Sequence, residues 1–197
     1  MMDPIQRIDL EDVKRIGIAA AYQAGDILQA KFGKISQVRK KGAIDLVTEA
    51  DTASEERILR VIRSRFPDHG ILAEESGANH GNKKYQWIID PLDGTINFAH
   101  RLPFFAVSIA FAFEGNTEMG IVFNPLSGEL FSAISGRGAT LNNDKIQIST
   151  TSSIGDCLLA TGLLPPTANP SSLAGHAFIH ATVPRCMNSV TPHPAGS

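Results

Sequence analysis

Ala106-Val107-Ser108-Ile109-Ala110-Phe111-Ala112-Phe113 alternates small and bulky side chains without a break. A period of two sustained this long is that of a β-strand whose two faces meet different surroundings. Val107, Ile109, Phe111 and Phe113 belong in a core, and the small face of Ala106, Ser108, Ala110 and Ala112 predicts close cover by a helix. After this strand, turn residues recur at Glu114-Gly115-Asn116, Asn124-Pro125-Leu126-Ser127-Gly128, Ser135-Gly136-Arg137-Gly138 and Asn142-Asn143-Asp144. The segments 119–123, 130–134 and 146–148 between and beyond them predict an antiparallel meander. Before it the period lengthens. Leu10, Val13, Ile16, Ala20, Ala24, Ile27 and Phe32 recur at helical steps as far as Gly33. Thr48-Glu49-Ala50-Asp51 has the form of a capping box opening a second helix, which Ile58, Leu59, Ile62 and Phe66 carry and Pro67 stops. Helices first and strands afterwards predict an α+β layered domain, with two long helices packed on a mostly antiparallel sheet.

The 197 residues carry a formal charge of -2 and are 43% hydrophobic and 19% charged. That balance fits a folded chain and gives no sign of a nucleic-acid or membrane-surface partner. No apolar run reaches the length of a membrane span, and Met1-Met2-Asp3-Pro4-Ile5-Gln6-Arg7 lacks the basic-then-apolar order of a signal peptide, so the chain reads as cytoplasmic. With only Cys157 and Cys186, neither a disulfide framework nor a cysteine zinc site is expected. The charge is unevenly spread. Residues 157–197 contain one charged side chain, Arg185, and six of the eleven prolines, where about 8 charges would follow from the mean.

Chemistry concentrates in Trp87-Ile88-Ile89-Asp90-Pro91-Leu92-Asp93-Gly94-Thr95. Asp90 leaves the end of a buried strand, Pro91 fixes the backbone direction, and Asp93 follows three residues later, so both carboxylates can turn toward one point. Gly94 lets the backbone approach a ligand, and Thr95 offers a hydroxyl and an N–H at a helix start. Oxygen-only ligands suit magnesium, which takes a few carboxylates and leaves positions for substrate. Alone, Asp-Pro-x-Asp-Gly-Thr also suits a surface turn. The second pair, Glu74-Glu75, closes another short apolar strand, Gly70-Ile71-Leu72-Ala73. If the two strands are neighbours, four negative charges lie close together, which is costly unless a cation neutralises them. Asp51 could add a fifth or simply cap its helix. Lys40-Lys41-Gly42 reads as a solvated loop or as a basic loop that closes over a phosphate. His69, His80 and His100 stand singly and are expected at the surface or in loops. His176 and His180 lack a partner carboxylate for a metal site. Nucleophile-elbow, dinucleotide-binding and P-loop patterns are absent from the sequence.

Asp45-Leu46-Val47-Thr48-Glu49-Ala50-Asp51, Ala73-Glu74-Glu75-Ser76, and Trp87 to Thr95 with Asn97-Phe98 together resemble the inositol monophosphatase family of magnesium-dependent, lithium-sensitive phosphatases. The resemblance implies the layered αβ sandwich of the inositol monophosphatase and sugar phosphatase type, and hydrolysis of a small phosphorylated polyol. It also implies roles. Glu74, Asp90 and the Leu92 carbonyl would hold one Mg2+, and Asp90 and Asp93 a second. Glu74 and Thr95 would help activate water, Asp51 would support the Thr95 hydroxyl, Gly94 and Thr95 would receive the phosphate beside Asp93, and Lys40 would sit in a loop near the metals. Paired metals flanking the attacking and leaving oxygens suit phosphate-ester hydrolysis, which needs mainly positioning and charge neutralisation. Sugar-bisphosphate, phosphoadenosine-phosphate and histidinol-phosphate phosphatases are related alternatives, and Asn97-Phe98 leans toward inositol phosphate.

The same resemblance implies a second half that adds an aspartate to the second metal in a Trp-Asp-x-Ala-Ala-Gly-like motif, which this sequence does not contain. Leu159-Ala160-Thr161-Gly162-Leu163 is the last stretch that fits. We therefore expect an amino-terminal domain over 1–162, a carboxy-terminal α/β half that is largely missing, and a Pro-rich tail over 163–197 that is disordered or out of frame. The alternative function is a catalytically impaired fragment or a regulatory metal-binding module. Sheet surface left uncovered predicts aggregation, or burial through self-association as in a homodimer, unless the tail covers it.

Overall fold

The computed structural model describes residues 8–34, 38–41, 45–78, 81–150 and 152–153, without the side chains of 38–41, 45–48 and 78. The chain divides into two compact units, Met1–Asp144 and Lys145–Ser197. The expected boundary near residue 162, the tail, Cys157, Cys186, His80, His176 and His180 lie outside the described residues.

Helix α1 (Leu10–Lys31) starts where the Asp9 carboxylate accepts the N–H groups of Glu11 and Asp12, both at 3.1 Å. Those donors would otherwise lack a partner in the first turn. It ends at the Phe32 cap, followed by Gly33 at φ 73. Its buried stripe is the expected one, except that Leu28 is fully buried where Ile27 was expected. A short antiparallel hairpin follows, β1 (Val38–Lys41) with β2 (Asp45–Thr48). Helix α2 (Glu49–Arg65) packs against α1 and buries Ile58 and Ile62 completely.

The sheet of the first unit comprises β3 (His69–Ala73), β4 (Gly77–Ala78), β5 (Asn82–Asp93), β6 (Ala106–Phe113), β7 (Asn116–Asn124), β8 (Glu129–Ile134) and β9 (Gly138–Leu141). Their order is β9-β8-β7-β6-β5-β3-β4. Every neighbouring pair is antiparallel except β3 and β5, which run parallel with Ala73 opposite Ile89. The mostly antiparallel α+β layering read from the sequence is therefore present, and one parallel pair is added to it.

The helices lie on the opposite face of β6 from the one expected. Val107, Ile109 and Phe111 pair across the sheet with Phe123, Ile121 and Met119. Those are the side chains that meet α1, at Gly17 and Gly25. A Cβ at Gly17 would lie 2.7 Å from Ile121 Cδ1, and one at Gly25 only 2.4 Å from Phe123 Cε1. Close approach is thus provided by glycines in the helix rather than by small residues in the strand.

His69 also differs from expectation. Trp87 is fully buried, and its indole N–H donates to His69 Nδ1 at 3.1 Å. A buried indole needs an acceptor, and this one is held by stacking on Phe66 at 4.6 Å and Tyr85 at 5.1 Å between centroids. Burial lowers the histidine's pKa below its ordinary value, and the charge of Asp68 opposes that only in part.

Candidate functional site

Parallel neighbours in a sheet end at the same edge, and that is why β3 and β5 matter. Glu74 follows Ala73 directly and its N–H donates to the Ile89 carbonyl at 3.1 Å, while Asp90 follows Ile89 on the adjacent strand. The two acidic segments therefore stand side by side at the carboxyl ends of neighbouring strands, where open sheets of this kind bind ligands.

Asp90 and Asp93 are three residues apart, which on a regular strand would aim them to opposite faces. The register resolves this. Asp90 pairs with Ser108 and Asp93 with Ala106, so β5 uses three steps where β6 uses two. The extra residue is a β-bulge, which re-aims side chains and is over-represented beside active sites. Within it, Asp90 Oδ1 accepts the Leu92 N–H at 3.1 Å, and the Leu92 carbonyl accepts the Thr95 hydroxyl at 3.0 Å. That hydroxyl has one proton to give, and here it goes to Leu92 rather than to Asp51. The carbonyl keeps a second lone pair.

Gly94 caps a short helix, α3 (Thr95–Ala99), in the left-handed region at φ 88. A Cβ there would sit 2.8 Å from the Phe104 carbonyl, so the close approach it permits is first to its own chain. Asn97 braces the same loop, donating from Nδ2 to Phe104 O at 2.7 Å, and Phe98 is core at 1% exposure. Their side chains are thus occupied in holding the turn. Lys40 lies on β1 opposite Leu46 in the hairpin whose second strand borders α2 and α3; its side chain is not described.

Asp51, in the first turn of α2, is 1% exposed. It belongs to the cluster as well as to its helix. The Asp90 carboxyl is pushed well above the usual carboxylate range by burial first, then by the charges of Glu74 and Asp93, a hydrogen bond with Glu74, and the charge of Asp51. Three acids thus converge on one buried carboxyl. Among the described residues no group of three or more His, Cys, Asp or Glu side chains is arranged to hold a metal ion as it stands. The fit to a hard divalent cation is chemical: the donors are all oxygen, and a carboxyl–carboxyl hydrogen bond needs a proton where a cation would neutralise more charge.

Ser54 and Glu55 were missed by the sequence reading. Both are buried, at 0% and 4% exposure. Ser54 Oγ donates to the Pro91 carbonyl at 3.1 Å, and Glu55 accepts the N–H groups of Glu75 at 2.8 Å and Ser76 at 3.0 Å. The signal was available: the buried stripe of α2 runs Ile62, Ile58, Glu55, Ser54, Asp51, so three polar residues occupy positions where helical periodicity calls for apolar ones.

The inositol monophosphatase family model matches residues 9–179. An inositol-1-monophosphatase of Synechocystis sp. is 47% identical over 156 residues, covering 78% of this chain and 54% of that protein. A Pasteurella multocida protein named Nus factor SuhB is 42% identical over 164 residues, covering 82% of this chain and 58% of its own length. The crystal structure of the extragenic suppressor protein suhB of Bartonella henselae superposes with a TM-score of 0.75 at 38% identity, over 85% of this chain and 64% of that one. The chain spans 54% to 64% of the length of these relatives.

Proposed function

The chain belongs to the inositol monophosphatase family, and from that membership and its acidic cluster we propose that it performs magnesium-dependent hydrolysis of a small phosphate monoester, with inositol monophosphate as the substrate. The observation that carries this is the buried Asp90 carboxyl facing Glu74, Asp93 and Asp51 at the ends of two adjacent parallel strands. Magnesium, held by Glu74, Asp90, the Leu92 carbonyl and Asp93, would neutralise the phosphate and lower the pKa of water, the two effects this reaction needs most. The chain's own groups do the rest. The Glu74 carboxylate takes the proton of the attacking water, and the Thr95 hydroxyl, turning from Leu92 toward Asp51, orients that water. The N–H groups of Gly94 and Thr95 hold phosphate oxygens, and Lys40 adds positive charge from the hairpin.

No described helix is long and apolar enough to cross a membrane, and a cytoplasmic location and lithium inhibition are part of the proposal. So is a homodimer. Ile96, Leu102 and Phe104 are 52%, 48% and 68% exposed within nine residues of chain, a concentration of apolar surface that favours association.

Purified protein should release phosphate from inositol 1-phosphate with magnesium and not without it, and Asp93→Asn should lower the rate at least a hundredfold. Equal rates in the variant, or no magnesium requirement, would refute the reading. A second reading, a binding module without turnover, is favoured by one observation: several relatives are named Nus factor SuhB rather than for a phosphatase activity. It predicts tight magnesium binding by calorimetry with no phosphate release, and turnover would exclude it.

A further inference from the structure

Asp51, Ser54 and Glu55 fall at i, i+3 and i+4 on α2 and so share one face of the helix. Asp51 joins the acidic cluster, whereas the other two reach the backbone of the two turns that carry it. Glu55 uses both carboxylate oxygens, Oε2 on the Glu75 N–H and Oε1 on the Ser76 N–H, at 2.8 and 3.0 Å. Hydrogen bonds to a carboxylate are the strong kind, and two on adjacent amides fix orientation as well as position. Ser54 takes the other turn. Its hydroxyl donates at 3.1 Å to the carbonyl of Pro91, inside the bulge between Asp90 and Asp93. Proline has no N–H, so its carbonyl is the one backbone group by which the helix can hold it.

We infer that Ser54 and Glu55 are positioning residues, which make α2 the template that sets where Glu74 stands relative to Asp90 and Asp93. This rests on the proposed magnesium reading of that cluster. The two turns are also tied together through the Glu74 N–H to Ile89 bond, the hydrogen bond between Glu74 and Asp90, and the strand pairing behind them. The bond to Ile89 lies before the Glu74 side chain and the pairing of Ala73 with Gly77 closes the far end of the turn, while Glu55 fixes the two amides inside it. Groups that orient ligands from behind are worth about 10- to 100-fold in metal affinity.

The test separates geometry from charge. Glu55→Asp keeps the negative charge and shortens the reach by one methylene, so a single carboxylate can no longer span both amides. Calorimetry with magnesium alone on the 197-residue chain should show affinity about tenfold weaker or worse. Amide exchange at Glu75 and Ser76 should accelerate in the same variant. Ser54→Ala should weaken magnesium binding severalfold, and Ser54→Thr, which keeps the hydroxyl, should restore it. Ser54→Ala removes one hydrogen bond and little volume, so it carries the test if Glu55→Asp fails to fold. Faster exchange with magnesium affinity unchanged in the Glu55 and Ser54 variants would overturn the inference, leaving these as ordinary structural bonds. A wild-type chain that takes up no magnesium would instead refute the metal reading on which it rests.

Discussion

Gly17→Ala and Gly25→Ala are the same chemical change two turns apart on α1, yet the packing assigns them different outcomes. In a helix interior, alanine is favoured over glycine by about 1 kcal/mol. At Gly17 the added Cβ would meet Ile121 Cδ1 at 2.7 Å and Met119 Cε at 3.3 Å, both the ends of flexible side chains that can turn away. At Gly25 it would meet Phe123 Cε1 at 2.4 Å and Pro125 Cβ at 3.1 Å. Neither can yield easily, because the Phe123 ring is buried edge-on against Tyr22 at 4.7 Å and a proline ring has no side-chain torsion to use. Overpacking of this kind costs about 1–3 kcal/mol, and Gly25 falls in the upper half. Gly25→Ala should therefore destabilise by about 1–2 kcal/mol after the helix gain, while Gly17→Ala should be neutral or slightly stabilising. A difference of about 2 kcal/mol separates the two melting points by roughly 4–8 °C for a chain of this size. Thermal unfolding followed by far-ultraviolet circular dichroism reads it directly. Identical shifts for the two variants would mean that α1 does not ride on β7 at this distance, and the account of the helix face would fail.

His69 is the best-placed group for a pH effect on stability. Its folded-state pKa is lowered by burial, so the unfolded chain binds the extra proton first; the stabilisation is complete above the ordinary histidine value of about 6.5 and is lost as the pH falls through the folded value. His69→Gln, which cannot titrate, should flatten the acid side of the stability curve in urea melts at a series of pH values, and an unchanged slope would contradict this. Phe104→Asp should shift a dimer to monomer in light scattering while leaving the far-ultraviolet circular dichroism spectrum unchanged, since the side chain is 68% exposed on the single chain; a variant that remains dimeric would remove this surface from the interface.

The fold was legible where one residue's surroundings are set by its own strand or helix. The stripe of α1, the stop at Pro67 and the alternation of β6 all follow from local period, and the structure has them. Which face of β6 the helices would cover was not local. It depends on Gly17 and Gly25 opposing Ile121 and Phe123, a pairing of residues about a hundred positions apart. His69 is similar: nothing near it in sequence announces that Trp87 will need its nitrogen.

The site shows the same limit in a sharper form. Glu74, Asp90 and Asp93 could be picked out because each closes a strand, but whether they meet depended on β3 and β5 being parallel neighbours, and on one extra residue in β5 that cancels the odd spacing of the two aspartates. Pro91 explains the second point in retrospect, since a residue without an N–H is tolerated in a strand at a bulge. Ser54 and Glu55 were passed over for a different reason. On a helix otherwise rich in arginine and glutamate they look like solvated residues, and only the phase they share with Ile58 and Ile62 places them inside. Polar residues that continue an apolar stripe must find partners when buried, and here the partners are the backbone groups of the two turns that carry the acids. The break in the stripe and the location of the site are therefore one fact: α2 is apolar where it faces the core and polar where it faces the ends of β3 and β5.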